Sequence, residues 1–214
     1  SLGQAARDEA RLYYGGIHMT RHTVQSAPGA YYHIYNRGAH KRSLFCDDAD
    51  YLRLLNMLKK YSRLLNISVV AYCLMPNHYH WLVRQDGDVA VRFLVQRVFN
   101  AYSHAFNTRR KHSGTLFEGP YKAILVESDE YLRQLCRYIH ANPVRHEFVI
   151  DLDLWPYSNY LEWIGKRNGT LVDKELVREY FADGAYKAYV LSYIADQVIL
   201  PNALGEYLQK LDSD

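Results

Sequence analysis

Two short strings carry residue types that do chemistry. In Asn77-His-Tyr-His80 two imidazoles stand at positions i and i+2. On a strand, that spacing sends both side chains out of one face, where their ring nitrogens can reach one metal ion. In Arg137-Tyr-Ile-His-Ala-Asn-Pro143, Tyr138 and Asn142 are four apart, which puts both on one face of a helix. A phenol, with an ordinary pKa of about 10, is a poor general base. It is a good covalent nucleophile toward phosphate once a nearby cation stabilises the developing charge. The carbonyl oxygen of Asn142 is a hard ligand of the kind that Mg2+ or Mn2+ accepts beside imidazole.

Each string also has a plainer reading. Among 10 histidines, His78 and His80 suit a cross-strand polar pair. Among 20 tyrosines, Tyr138 suits an ordinary core or surface aromatic, and Tyr131, on the same helical face, competes for the nucleophile's role.

These residues need a strand and a helix to position them, and the pattern supplies both. Ala30 to Asn36 is β-prone and closes on the turn Asn36-Arg-Gly38. Asp47 to Asp50 supplies N-cap acids for a helix to about Leu65, with Leu52, Leu55, Leu58 and Tyr61 or Ser62 at helical spacing. Ile67 to Cys73 and His78 to Arg84 read as a hairpin broken at Met75-Pro-Asn77. A second long helix runs from Val89 to His112, with Phe93, Val98 and Phe106 among its apolar positions and a cationic end at Arg109-Arg-Lys-His112. Tyr121 to Val126 is a further strand. Ser128-Asp-Glu130 opens a helix through Asn142 that Pro143 stops. Strand, helix, strand, strand, helix, strand, helix predicts an α+β ferredoxin-like split βαβ sandwich with an antiparallel central sheet, plus an extra helix bearing Tyr138.

Composition narrows the function classes. With 49% hydrophobic and 23% charged residues, 6 Pro and 12 Gly in 214, the chain is neither low-complexity nor collagenous. The longest apolar run, Val69 to Met75, is far short of a bilayer span, so no membrane partner is expected. Cys46, Cys73 and Cys136 form no CxxC pair and suggest neither a disulfide framework nor a zinc ribbon; a reducing cytoplasm fits best. The net charge of +3 hides an asymmetry. Residues 19–150 hold 18 Lys and Arg against 10 Asp and Glu (+8), residues 151–214 hold 6 against 11 (−5), and residues 1–18 hold 2 against 2. A basic core of this kind suits a polyanion, with nucleic acid as the leading partner, although an uneven solvated surface gives the same count.

The strings Tyr32-His-Ile-Tyr-Asn-Arg-Gly38, Leu44-Phe45, Ala71-Tyr-Cys-Leu-Met-Pro-Asn-His-Tyr-His80, Leu116-Phe-Glu-Gly119 with Tyr121-Lys122, and Tyr138-Ile-His-Ala-Asn-Pro-Val-Arg145 occur in that order. Together they resemble the REP-associated tyrosine transposases, a branch of the single-tyrosine HUH transposases. The resemblance runs from about Tyr31 to Trp163. It implies a divalent metal, Mg2+ or Mn2+, held by His78, His80 and Asn142, with Tyr138 as nucleophile. It also implies single-stranded DNA beside a repetitive extragenic palindrome hairpin as substrate, cleaved through a 5′-phosphotyrosine without ATP. Two departures fall at DNA-contact positions: Pro120 stands where the family often has Arg, and His146-Glu147 follows Arg145 where the family often has Ala-Gly.

On this reading residues 1–18 are a leader outside the fold, 19–165 the transposase domain and 166–214 an acidic helical extension. The acidic tail from Asp151 to Asp214 is expected either to fold over the basic groove and compete with DNA or to pack elsewhere or make a protein contact. Candidate DNA contacts are Arg37, Lys41, Arg42, Arg109, Arg110, Lys111, Lys122 and Arg145. The active unit is a monomer or a dimer. Two other classes compete: a non-catalytic nucleic-acid binding module on the same scaffold, and a metal-dependent hydrolase of small phosphoesters, which would turn over without Tyr138.

Overall fold

The computed structural model describes residues 27–172, 179, 181 and 184–195. The expected leader and most of the acidic extension therefore lie outside the described residues. Four strands, β1 (Tyr31–Arg37), β2 (Ile67–Met75), β3 (His78–Gln85) and β4 (Lys122–Val126), form one antiparallel sheet in the order β2-β3-β1-β4. Helix α1 (Asp48–Leu64) joins β1 to β2, and α2 (Val91–Arg110) joins β3 to β4. That is the expected α+β split βαβ architecture. Helix α3 (Asp129–Arg145) follows β4, and the short α4 (Tyr160–Trp163) and α5 (Ala185–Ala195) come after it, with 3-10 turns at Ala39–Lys41 and Leu152–Leu154.

Strand alternation divides the sheet into two chemically distinct faces. Tyr79 and Trp81 of β3 point to one side, where Trp81 stacks on Phe99 of α2 at 4.8 Å and Tyr102 donates a 2.5 Å hydrogen bond to the Leu44 carbonyl. This is the apolar core beneath α1 and α2. His78 and His80 point to the other side, beneath α3.

The apolar stripe of α1 is rotated from its expected position. Tyr51, Leu54, Leu58 and Ser62 are buried, whereas Leu52 is 55% exposed. Leucines at 52, 54, 55 and 58 offer two overlapping helical registers, and the sheet takes the one centred on Leu54. On α2, Val98 and Phe106 are buried and Phe93 remains partly exposed.

Pro143 does not end α3, which continues to Arg145. Proline removes one backbone donor, but this is the helix's last turn, where the carbonyls are satisfied from beyond it: His146 N–H bonds the Asn142 carbonyl and Phe148 N–H bonds that of Pro143, both at 2.9 Å.

The outer edge of β2 is covered rather than left open. Leu74 N–H bonds the Tyr157 carbonyl at 2.9 Å, Cys73 bridges Ser158, and Asn159 Oδ1 accepts from Tyr72 N–H at 2.6 Å. Asn159 Nδ2 donates to the Val70 carbonyl at 2.8 Å. His140 of α3 completes the cluster: its Nε2–H donates to Asn159 Oδ1 at 2.9 Å and its Nδ1 accepts from the Tyr186 hydroxyl of α5 at 2.5 Å. The described part of the extension thus packs on α3, with Tyr186, Val190 and Tyr193 buried.

Candidate active site

The β1–β3 register sets Arg37 opposite His78 and Tyr35 opposite His80, and the β1–β4 register sets Lys122 opposite Tyr35. Opposed residues share a face, so Arg37, Tyr35, His33, His78, His80 and Lys122 all stand on the side that α3 covers. Ser128 caps α3 by accepting from Tyr131 N–H, and Asp129 and Glu130 complement its positive end. Its buried stripe, including Leu135, Cys136 and Ile139, turns Tyr138 and Asn142 inward.

Four side chains converge there. The His78 and His80 rings lie 5.3 Å apart, and the Tyr138 ring meets His80 edge-on at 5.4 Å. His78 Nε2 approaches Asn142 Oδ1 at 3.4 Å. Tyr131 is half-buried, its hydroxyl pushed up to about 12 by burial first and then by Glu127, and it in turn helps raise Tyr35.

The donor chemistry fits a divalent cation. His78 Nδ1 lies 2.9 Å from Asn77 Oδ1, an acceptor, so a neutral His78 carries its proton on Nδ1. Asn142 Nδ2 already donates to the Tyr138 carbonyl at 2.9 Å. The 3.4 Å approach of His78 Nε2 to Asn142 Oδ1 therefore sets two lone pairs together, which a hard cation bound by both would stabilise. Among the described residues no group of three or more His, Cys, Asp or Glu could hold a metal; His78, His80 and Asn142 together offer two imidazoles and a carboxamide. Burial lowers His80 well below the usual histidine range, helped by His33, His78 and His146, and burial lowers His33 to about 3. Both rings are neutral at neutral pH.

The structure divides the eight cations expected at DNA. Arg37 and Lys122 share the site's face; Arg37 makes a bidentate pair with Glu118 at 2.7 and 2.8 Å, and the Lys122 ammonium lies 5.8 Å from the Tyr35 ring centroid. Arg145 sits 5.9 Å from the Tyr138 ring centroid and hydrogen-bonds the Tyr193 hydroxyl. Arg109 and Arg110 both bond Asp47 and Asp50 at the start of α1, on the far side of the sheet from His78. Arg42 contacts His112, Lys111 caps α2 and Lys41 is exposed in the turn after β1. That turn closes over Gly38, where any Cβ would overlap the Arg42 carbonyl.

Sequence reasoning missed two participants. His33 Nε2 lies 3.0 Å from His80 Nδ1, and Tyr193 engages Arg145 from α5. The signal for His33 was a polar side chain at the centre of an apolar strand, on the same alternation as Tyr31 and Tyr35.

Comparison with known proteins agrees with this geometry. Residues 26–142, over half of the chain, match the family model described as transposase, IS200 like. A Haemophilus influenzae protein named as a REP-associated tyrosine transposase is 29% identical over 102 residues, covering 42% of this chain. The chain spans 57% of the length of that curated relative. A solved structure of a REP-associated tyrosine transposase bound to a REP hairpin shares the fold, with a TM-score of 0.60 at 18% identity over 78% of this chain and 97% of that one.

Proposed function

The chain belongs to the IS200-like transposase family, and from that premise we propose that it is a single-strand DNA endonuclease and strand transferase working through a covalent tyrosine. Its substrate in this reading is single-stranded DNA beside a hairpin; the structural relative is bound to a REP hairpin. The observation that supports it is the convergence of Tyr138, His80, His78 and Asn142 at one place beneath α3.

His78, His80 and Asn142 would hold Mg2+ or Mn2+, which would supply positive charge to stabilise the charge that develops on the scissile phosphate. Tyr138 is the nucleophile: a bond forms from its phenolic oxygen to phosphorus as the bond from phosphorus to the 3′ oxygen breaks, leaving a 5′-phosphotyrosine and a 3′-hydroxyl. The phenolic proton passes to solvent and the departing oxygen takes one up. Because the phosphodiester's energy is retained in the new bond, a second 3′-hydroxyl reverses the step and joins strands. Arg37 and Lys122 flank the histidines and hold the backbone of the bound strand. Tyr138 is only 1% exposed, so DNA gains access as Arg145, which Tyr193 holds, moves from its ring.

The test is incubation with Mn2+ and a panel of hairpin oligonucleotides carrying single-stranded flanks. A denaturation-resistant protein–DNA band that chelator prevents is expected. Chelator-insensitive binding with no adduct would instead favour a non-catalytic binding module, and hydrolysis of small phosphoesters by Tyr138→Phe would favour a hydrolase.

A further inference from the structure

His33 lies at the centre of β1, fully buried, one position along the site's face from Tyr35. Its Nε2 is 3.0 Å from Nδ1 of His80, and the two rings are nearly parallel, 5.2 Å apart with 17° between planes. A contact of this length between two ring nitrogens requires one to donate and the other to accept. Which one donates decides what His80 can do with its other nitrogen.

If His33 donates from Nε2, a neutral His80 accepts on Nδ1 and carries its own proton on Nε2, so it offers no lone pair there. If His80 donates from Nδ1, its Nε2 presents a lone pair, and a neutral His33 carries its proton on Nδ1. His33 Nδ1 is buried without a hydrogen-bond partner, so the protein bears the cost of an unsatisfied buried N–H in this second arrangement. A cation bound at His80 Nε2 requires this second arrangement, in which His33 Nε2 is the acceptor. His78 has no such ambiguity, because its Nδ1 faces an amide oxygen that can only accept.

We propose that His33 is a positioning residue for metal binding: by accepting the Nδ1 proton of His80 it holds that ring in the one tautomer whose Nε2 can ligate a divalent cation. The inference rests on the reading of His80 as a metal ligand. It assigns to β1, which contributes no proposed ligand, control over the metal affinity of β3. An acceptor at position 33 is what matters, so a side chain of similar size with a terminal oxygen can serve and an apolar one cannot.

The test is Mn2+ affinity measured by titration, followed through the electron paramagnetic resonance signal of the free ion, for full-length wild type, His33→Gln and His33→Leu. Loss of a hydrogen-bond partner to a ligating histidine typically weakens metal binding by about 10–100-fold. His33→Leu is expected to fall in that range, with His33→Gln staying within about threefold of wild type on the same argument. Nitrogen NMR shifts of the His80 ring in the Mg2+-loaded wild type should report the Nδ1–H tautomer. Wild-type affinity in His33→Leu, equal weakening by Leu and Gln, or an Nε2–H His80 in the loaded protein would each overturn the role of His33 while leaving the metal site standing. A wild type that takes up no Mn2+ would overturn the metal reading and this inference with it.

Discussion

His78 Nε2 and Asn142 Oδ1 face each other at 3.4 Å, and with a neutral His78 neither atom has a proton to give the other, since the histidine's N–H is directed at Asn77 and the amide's at Tyr138. A strand and a helix 64 residues apart in sequence have been brought together to oppose two acceptors. Removing the oxygen with Asn142→Leu should therefore weaken Mn2+ binding by at least about tenfold, the lower end of what loss of even an outer partner costs. Calorimetric titration of wild type and variant checks this, and unchanged affinity would count against Asn142 as a ligand.

The cations divide by position. Arg37→Gln and Lys122→Gln should each weaken hairpin-flank DNA binding and flatten its salt dependence by about 0.7 in log–log slope, the share of one single-strand phosphate contact. Arg109→Gln should leave both unchanged, because Arg109 sits with Asp47 and Asp50 at the start of α1, across the sheet from His78. Fluorescence anisotropy across a salt series distinguishes the two groups, and an equal loss from all three would contradict the division.

The same carboxylate cluster governs acid behaviour. Hydrogen bonds from Arg109 first, and then Arg110, lower Asp47 from 3.8 to about 2. Its folded value is depressed, so its contribution is present above pH 3.8 and is lost as pH falls toward 2. Arg109→Gln with Arg110→Gln should lower the melting temperature at neutral pH and make it less steeply pH-dependent between pH 4 and 2. Thermal melts across that range test the sign, and an acid limb as steep as that of wild type would refute it.

Asn159 is the centre of the seam between β2, α3 and α5. Asn159→Leu keeps its branched shape but strands the N–H groups of Tyr72 and His140, both buried. A loss of about 3 kcal/mol in unfolding free energy is expected. Urea denaturation measures it, and a change below about 1 kcal/mol would mean that other partners replace the amide.

Arg145 lies over the Tyr138 ring, and Tyr193 packs against and hydrogen-bonds that arginine. Shortening Tyr193 to Ala should increase the rate of adduct formation on hairpin oligonucleotides, and a slower rate would mean that α5 holds Arg145 in a productive position instead.

The pattern of legibility in the sequence has physical causes. Two-residue spacing on β3 and four-residue spacing on α3 are local facts, so the shared faces of His78 with His80 and of Tyr138 with Asn142 could be read directly. Leu52 could not be ranked against Leu54, because adjacent leucines satisfy two helical registers and only the sheet chooses. Pro143 looked like a stop because the carbonyls beyond it are satisfied by residues with no helical signal. Arg109 and Arg110 looked like a phosphate-binding cluster because their partners, Asp47 and Asp50, lie about sixty residues away and read locally as N-cap acids. His33 escaped notice for the same reason: its meaning comes from the strand beside it, and the register between β1 and β3 is not written in either strand alone.

The most direct measurement is to trap the covalent adduct, digest it with trypsin and identify by mass spectrometry the peptide that carries nucleotide. Cleavage after Arg137 and Arg145 releases residues 138–145, in which Tyr138 is the sole tyrosine, whereas Tyr131 leaves in the peptide 123–133. The account predicts nucleotide on 138–145 and none in the Tyr138→Phe protein. Nucleotide on 123–133, or an undiminished adduct from Tyr138→Phe, would contradict it.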